Sequence, residues 1–126
     1  MFKTELDETK PFLPLSIAVL AVSDTRNLET DTAGALLKTL MEADGHQCAD
    51  RAVVRDDIAA IRATVGGWVD DPAIDAIITT GGTGFSGRDV TPEALEPLFD
   101  KRMDGFSVLF HQYSATTVGT STLQSR

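Results

Sequence analysis

The chain has 126 residues, 42% of them hydrophobic and 24% charged, with a net charge of −8 at pH 7. That is the make-up of one soluble globular domain long enough to bury a core, and it excludes disordered, collagen-like and coiled-coil chains. The cations are scattered singly apart from Lys101-Arg102, so no basic face exists for nucleic acid or an anionic membrane. Cys48 is the single cysteine, which rules out an intrachain disulfide and a cysteine-rich zinc site. No apolar run reaches the ~20 residues of a membrane span. The run Ile17–Val22 is too short for a signal segment and follows Glu5, Asp7 and Glu8. The cytoplasm is the expected compartment.

Residues 1–15 carry Pro11 and Pro14 without a period and predict an N-terminal arm, leaving 16–126 as the domain. Ser16 to Asp24 holds a continuous apolar run, the pattern of a strand buried on both faces. Thr25 to Thr30 is polar and turn-like. From Asp31 to Asp44, Ala33, Leu36, Leu37, Leu40 and Met41 follow helical spacing, and Gly45 is a fitting stop. His46 to Arg55 predicts a weaker strand. From Asp56 to Val69, Ile58, Ile61, Val65, Trp68 and Val69 share one helical face; Gly66-Gly67 predicts an irregularity there, since each glycine costs about 1 kcal/mol against alanine. Asp70-Asp71-Pro72 closes that helix.

Ile74 to Thr80 is the clearest strand, and Gly81-Gly82-Thr83-Gly84 follows at once. Thr91-Pro92-Glu93 predicts a helix start with Thr91 as N-cap, and Pro97 ends that helix within about two turns. Phe106, Leu109, Phe110 and Tyr113 predict an amphipathic helix over 105–113, and Ser114 to Arg126 is a Ser/Thr-rich tail. Trp68 and the phenylalanines read as core. Cys48 reads as a small buried hydrophobe, and His111 as a surface or interface residue. Strand, helix, strand, helix, strand, loop, helices predicts an α/β fold with parallel strands and helices on both faces of the sheet.

In such sheets ligands bind beyond the carboxyl ends of the strands. The polar segments there are Ser23-Asp24-Thr25-Arg26, Arg55-Asp56-Asp57 and Gly81 to Asp89. Gly82, Gly84 and Gly87 satisfy G-x-G-x-x-G, but the helix start is delayed to Pro92 and no strand follows, which argues against a dinucleotide site. No Gly-Lys-Ser/Thr follows, so a P-loop is excluded. What remains is a loop whose backbone N–H groups can form an anion nest, or else a tight turn that binds nothing. Arg88 is either a phosphate partner or a solvated charge. Asp89 is either a Mg²⁺ ligand or a local helix-start acceptor. Of Asp56 and Asp57, one is an N-cap, and the pair can share a metal with Asp89. Ser23 and Asp24 read singly as a turn. Three acid-bearing strand ends around one anion nest is a more pointed arrangement.

The run Thr79-Thr80-Gly81-Gly82-Thr83-Gly84-Phe85-Ser86-Gly87-Arg88-Asp89-Val90-Thr91-Pro92-Glu93-Ala94 resembles the MoaB/MogA family of molybdenum cofactor biosynthesis. Val22-Ser23-Asp24-Thr25-Arg26, with Asp31 and Gly34 behind it, Val53-Val54-Arg55-Asp56-Asp57, and Val118 to Arg126 agree with it, the last with the MoaB branch. The resemblance implies a three-layer α-β-α sandwich with a mostly parallel sheet. It also implies a site that binds molybdopterin and adenylylates it with MgATP, releasing pyrophosphate. By that resemblance Asp56 and Asp89 serve catalysis and hold Mg²⁺. Ser23, Asp24, Gly81, Gly82, Thr83, Gly84 and Arg88 would contact the ligands. The implied partners are molybdopterin, ATP, further copies in a trimer or hexamer, and the molybdate-insertion protein. The alternative is a non-catalytic carrier of molybdopterin; retention of both aspartates favours the enzyme. The family often has Pro where this chain has Arg55. The family domain is longer by very roughly a third, within the usual domain range of about 100–200 residues. The 16–126 domain is therefore expected to be incomplete at its carboxyl end.

Overall fold

A computed structural model describes residues 7–126. The predicted arm therefore lies outside the described residues over 1–6. From residue 7 to Leu15 it holds no helix or strand. Its end is nevertheless tied down: the Leu15 N–H donates to His46 Nδ1 at 3.0 Å, and the Gln47 N–H donates to the Leu15 carbonyl at 2.9 Å.

Three strands, β1 (Ser16–Val22), β2 (Gln47–Val54) and β3 (Ala76–Thr80), form one parallel sheet in the order β2-β1-β3. The register between β1 and β2 slips once, between Ile17 and Ala18. Every residue of β1 from Ile17 to Val22 is buried, as its continuous apolar run predicts. Its residues alternate between two cores. Ala18, Leu20 and Val22 pack with Ile61, Val65 and Trp68 of α2 (Ile58–Val69) and with Ala94. Ile17 and Val19 pack with Met41 of α1 (Thr32–Ala43). The fold is thus an α/β sandwich of three layers, as expected.

The helix starts carry their own chemistry. Asp31 caps α1 by accepting from the Gly34 N–H at 2.9 Å, and Asp57 caps α2 by accepting from the Ala60 N–H at 2.8 Å. Asp57, not Asp56, is therefore the cap of the pair. α2 runs unbroken through Gly66-Gly67, against the predicted irregularity; Val65 and Trp68, buried on either side, hold the turn that the glycines weaken. Trp68 also donates its indole N–H to Asp50 at 3.0 Å. Cys48 is half-buried beside the Ile17–Met41 cluster, on the apolar side expected but less covered than a core residue.

After β3 come α3 (Thr91–Leu95), a short 3₁₀ turn at Glu96–Leu98 carrying Pro97, and α4 (Asp104–Val118). α4 is longer than predicted, and a second 3₁₀ turn at Gly119–Gln124 follows it. Two further expectations need correction. Val90, not Thr91, is the N-cap residue of α3. The described phenylalanines are not core: Phe12, Phe85, Phe99, Phe106 and Phe110 are all at least half exposed, and Phe2 lies outside the described residues. On α4 the apolar row has the right period, but Phe106, Leu109 and Phe110 stay about half exposed or more among the described residues.

His111 on α4 braces the last residues. Its Nδ1 meets the Ser107 carbonyl at 2.7 Å and its Nε2 meets the Ser125 carbonyl at 2.9 Å. Two carbonyl partners require two N–H donors, which only the imidazolium has. The Ser125 and then the Ser107 carbonyl accordingly raise its pKa above the ordinary 6.5. The sign follows from linkage: the bracing is complete below pH 6.5 and is lost as pH rises through the raised folded value. Amide exchange of residues 119–126 is therefore expected to accelerate above that value in the native chain and to be pH-insensitive, beyond intrinsic chemistry, in His111→Gln.

Candidate functional site

Parallel pairing brings the carboxyl ends of all three strands to one edge. The chain leaves β1 toward β2 through α1 on one face, and reaches β3 through α2 on the other. The switch point lies between β1 and β3, where α/β sheets take their ligands. Here it is a crevice of about 180 Å³ lined by Ser23, Arg26, Thr80 and Gly81 among others.

Asp24 joins the three segments. Its Oδ1 accepts from the Asp56 N–H at 3.1 Å, and its Oδ2 accepts from Arg88 Nε at 3.1 Å and a terminal guanidinium nitrogen at 2.5 Å. Arg88 and then the Asp56 N–H hold the Asp24 carboxyl below its ordinary pKa. Asp24 is thus not the local turn former that its position suggests; Ser23 is, its Oγ accepting from the Thr25 and Arg26 N–H groups.

The glycine loop closes tightly on this hub. Gly81 and Gly82 have φ of +92° and +68°, the left-handed region that favours glycine. A Cβ on Gly81 would sit 2.3 Å from the Val22 carbonyl oxygen, and one on Gly82 would sit 2.3 Å from Thr91 Oγ1 and 3.1 Å from Asp56 Oδ1. The glycines therefore admit Asp56 and Thr91 against the loop backbone. Thr91 is 2% exposed and donates its hydroxyl to the Gly81 carbonyl at 2.9 Å, while its N–H donates to the Gly82 carbonyl at 3.0 Å. Thr91→Val keeps the volume but leaves a carbonyl without its donor. A stability loss of ~1–2 kcal/mol in chemical denaturation is expected.

Asp89 turns back on the loop, with Oδ2 accepting from Ser86 N–H at 3.2 Å and Ser86 Oγ at 2.7 Å. Asp56 is the strained acid. Burial, followed by the neighbouring Asp24 charge, raises its pKa, and Asp89 adds to the repulsion while Arg88 opposes it. Asp56 and Asp89 beside the glycine loop are a pair of carboxylates that suits Mg²⁺, which takes one or two carboxylates and completes its shell with phosphate oxygens and water. No group of three or more such side chains converges on one point among the described residues, so the protein alone does not build a closed cage.

Arg126 is the residue that sequence reasoning missed. Its backbone N–H donates to the Thr83 carbonyl at 2.9 Å, and its guanidinium donates to the carbonyls of Gly84 at 2.8 Å and Asp89 at 2.7 Å. It also pairs with the Glu93 carboxylate. One side chain thereby fixes both ends of the segment from Thr83 to Asp89. The only sequence signal was its place in the Val118–Arg126 stretch.

The family described as "Probable molybdopterin binding domain" matches residues 18–126. The chain belongs to the MoaB/MogA family. It is 44% identical over 115 residues to molybdenum cofactor biosynthesis protein B of Escherichia coli K12, covering 91% of this chain and 68% of that relative. It thus spans about two thirds of that MoaB protein's length. Among solved structures, a molybdenum cofactor biosynthesis protein B superposes with a TM-score of 0.87 at 36% identity, covering 93% of this chain and 73% of the other. The tungsten cofactor synthesizing protein MoaB of Pyrococcus furiosus superposes with a TM-score of 0.77 at 28% identity, covering 90% and 70%. The MoaB/MogA likeness therefore spans both layers of helices and the glycine loop.

Proposed function

We propose that the chain serves molybdenum cofactor biosynthesis by binding molybdopterin and transferring to it the adenylyl group of ATP. The observation that carries this reading is the Asp24 hub, which gathers Asp56, Arg88 and the glycine loop at the sheet's switch point. In the step, a terminal phosphate oxygen of molybdopterin attacks the α-phosphorus of ATP. A new P–O bond forms, the bond from that phosphorus to the α–β bridging oxygen breaks, and pyrophosphate leaves with the electron pair.

Such transfer needs positioning and charge stabilisation more than a covalent catalyst. The Gly81–Gly84 backbone offers N–H groups to a phosphate. Arg88 exchanges its Asp24 partner for a phosphate oxygen, as a guanidinium can. Asp56 and Asp89 would hold Mg²⁺, which neutralises phosphate charge when bound. Ser23 keeps a hydroxyl proton to donate, since its oxygen is the acceptor in the turn. The half-exposed Phe106, Leu109 and Phe110 of α4 support assembly of several copies, with a trimer or hexamer as the proposal. The molybdate-insertion protein would be the acceptor of the product.

A carrier that binds molybdopterin without chemistry is the second reading. It is favoured by one feature, the engagement of Asp89 with Ser86 and of Arg88 with Asp24. Pyrophosphate release from MgATP separates the two. The enzyme releases it only when molybdopterin is added; the carrier binds molybdopterin and releases none.

A further inference from the structure

A second cleft is larger than the switch-point crevice. It has a volume of about 820 Å³ and runs between the 23–29 loop and the end of β2. Neither the glycine loop, nor Asp56, Arg88 or Asp89, lines it. Its size falls in the range of about 300–1,000 Å³ typical of sites for whole small molecules. The crevice of about 180 Å³ has room for little more than a phosphate-sized group.

The cleft also reverses the sign of the chain. Arg26, Arg51 and Arg55 line it, against Asp24 and Glu29, in a protein of net charge −8. Arg51 is spent on structure: it bonds the Leu28 and Asp31 carbonyls and pairs with the Asp31 carboxylate at 3.1 Å. Asp24 is already paired with Arg88. Arg26 donates one nitrogen to the Thr30 carbonyl and meets no carboxylate. Arg55 is exposed and donates no hydrogen bond among the described residues, though it lies close enough to help hold Asp24 ionised. Two guanidiniums are therefore left over against Glu29. Ser23 and Arg26 also line the switch-point crevice, so the two spaces adjoin there.

We propose that this cleft is a polyphosphate subsite in which Arg26 and Arg55 hold the triphosphate of a nucleotide. The proposal rests on the adenylyl-transfer reading for the identity of the ligand. The nucleotide extends from the cleft across Arg26, which places its reacting phosphate at the crevice lined by Ser23, Thr80 and Gly81.

The test is calorimetric titration of the purified protein with inorganic tripolyphosphate and with ATP, in the native chain, Arg55→Gln and Arg26→Gln. The Arg55 side chain donates no hydrogen bond among the described residues, so Arg55→Gln is expected to keep the native Tm and a change in binding reports the ligand. Loss of a charge-assisted contact predicts roughly tenfold to hundredfold weaker binding of both anions, with molybdopterin affinity unchanged. Native affinity for both anions in Arg55→Gln, or no binding of either to the native chain, overturns the subsite. The subsite and the reaction fail separately. Tripolyphosphate held through Arg55 without adenylyl transfer leaves the subsite standing and removes the reaction. Transfer with native ATP affinity in Arg55→Gln does the reverse.

Discussion

Asp56→Asn is expected to abolish turnover while leaving the fold as stable as before or more so. The two halves of this expectation share one cause. Burial and the charges of Asp24 and Asp89 raise the Asp56 pKa, so the ionised carboxylate is unfavourable in the folded chain. For an acid with a raised folded pKa, stability falls as pH rises from the ordinary 3.8 through the folded value, and that cost persists above it. Asparagine is nearly isosteric and carries no charge, so it removes the cost. It also removes the carboxylate proposed to hold Mg²⁺ against the phosphates, for which a loss of about 10²–10³-fold in kcat is the expected scale. The Asp56 backbone N–H that joins Asp24 is untouched by the change. Thermal unfolding and steady-state rates on the same preparation check both halves. A lowered Tm would mean that the carboxylate supports the fold, and a near-native rate would remove it from the reaction. Stability retained at the expense of activity is the usual signature of a site built from mutually repelling groups.

Arg126→Met is expected to act at a distance from any substrate. The guanidinium ties Gly84 and Asp89 to Glu93 without reaching the Asp24 hub itself. Methionine keeps the aliphatic stem and loses every donor. The segment from Thr83 to Asp89 then keeps its own Ser86–Asp89 bonds, the Arg88–Asp24 pair and the Arg126 backbone N–H on Thr83, but loses the side-chain tie at Gly84 and Asp89. A displacement of about 1 Å in such a loop costs up to 10²-fold in rate, so kcat is expected to fall tenfold to a hundredfold. Arg126→Lys restores one charge but not the forked geometry and should rescue only in part. The readout that separates positioning from general instability is local. Amide exchange should accelerate at Gly84 to Asp89 while β1 keeps its native protection. Uniform acceleration across both would assign Arg126 to overall stability.

These two residues mark how far the sequence alone could be read. β1 was legible because both faces of a central parallel strand are covered, and that demands consecutive apolar residues. The Asp56-Asp57 pair was legible as one cap and one free acid, though only the structure says which is which. Thr91 was misread because Thr before Pro suits an N-cap, whereas its hydroxyl serves a carbonyl ten residues back that exists only once the glycine loop has folded. Arg126 was invisible for the same reason on a larger scale, since its partners lie 33 to 43 residues away. The period of α4 was read correctly, but a period says which residues share a face and not what covers it. Asp24 is the most instructive case. A strand-end Ser-Asp pair suggests a turn, and here the serine makes the turn while the aspartate is released to bind Asp56 and Arg88.

Adenylyl transfer onto molybdopterin is the chemistry proposed for this site. It is tested most directly by incubating the purified protein with molybdopterin, Mg²⁺ and ATP labelled at the α-phosphate, then separating the pterin. Label on the pterin and an equal amount of unlabelled pyrophosphate are expected. Tight molybdopterin binding with all label remaining in ATP would contradict it and leave the chain a carrier.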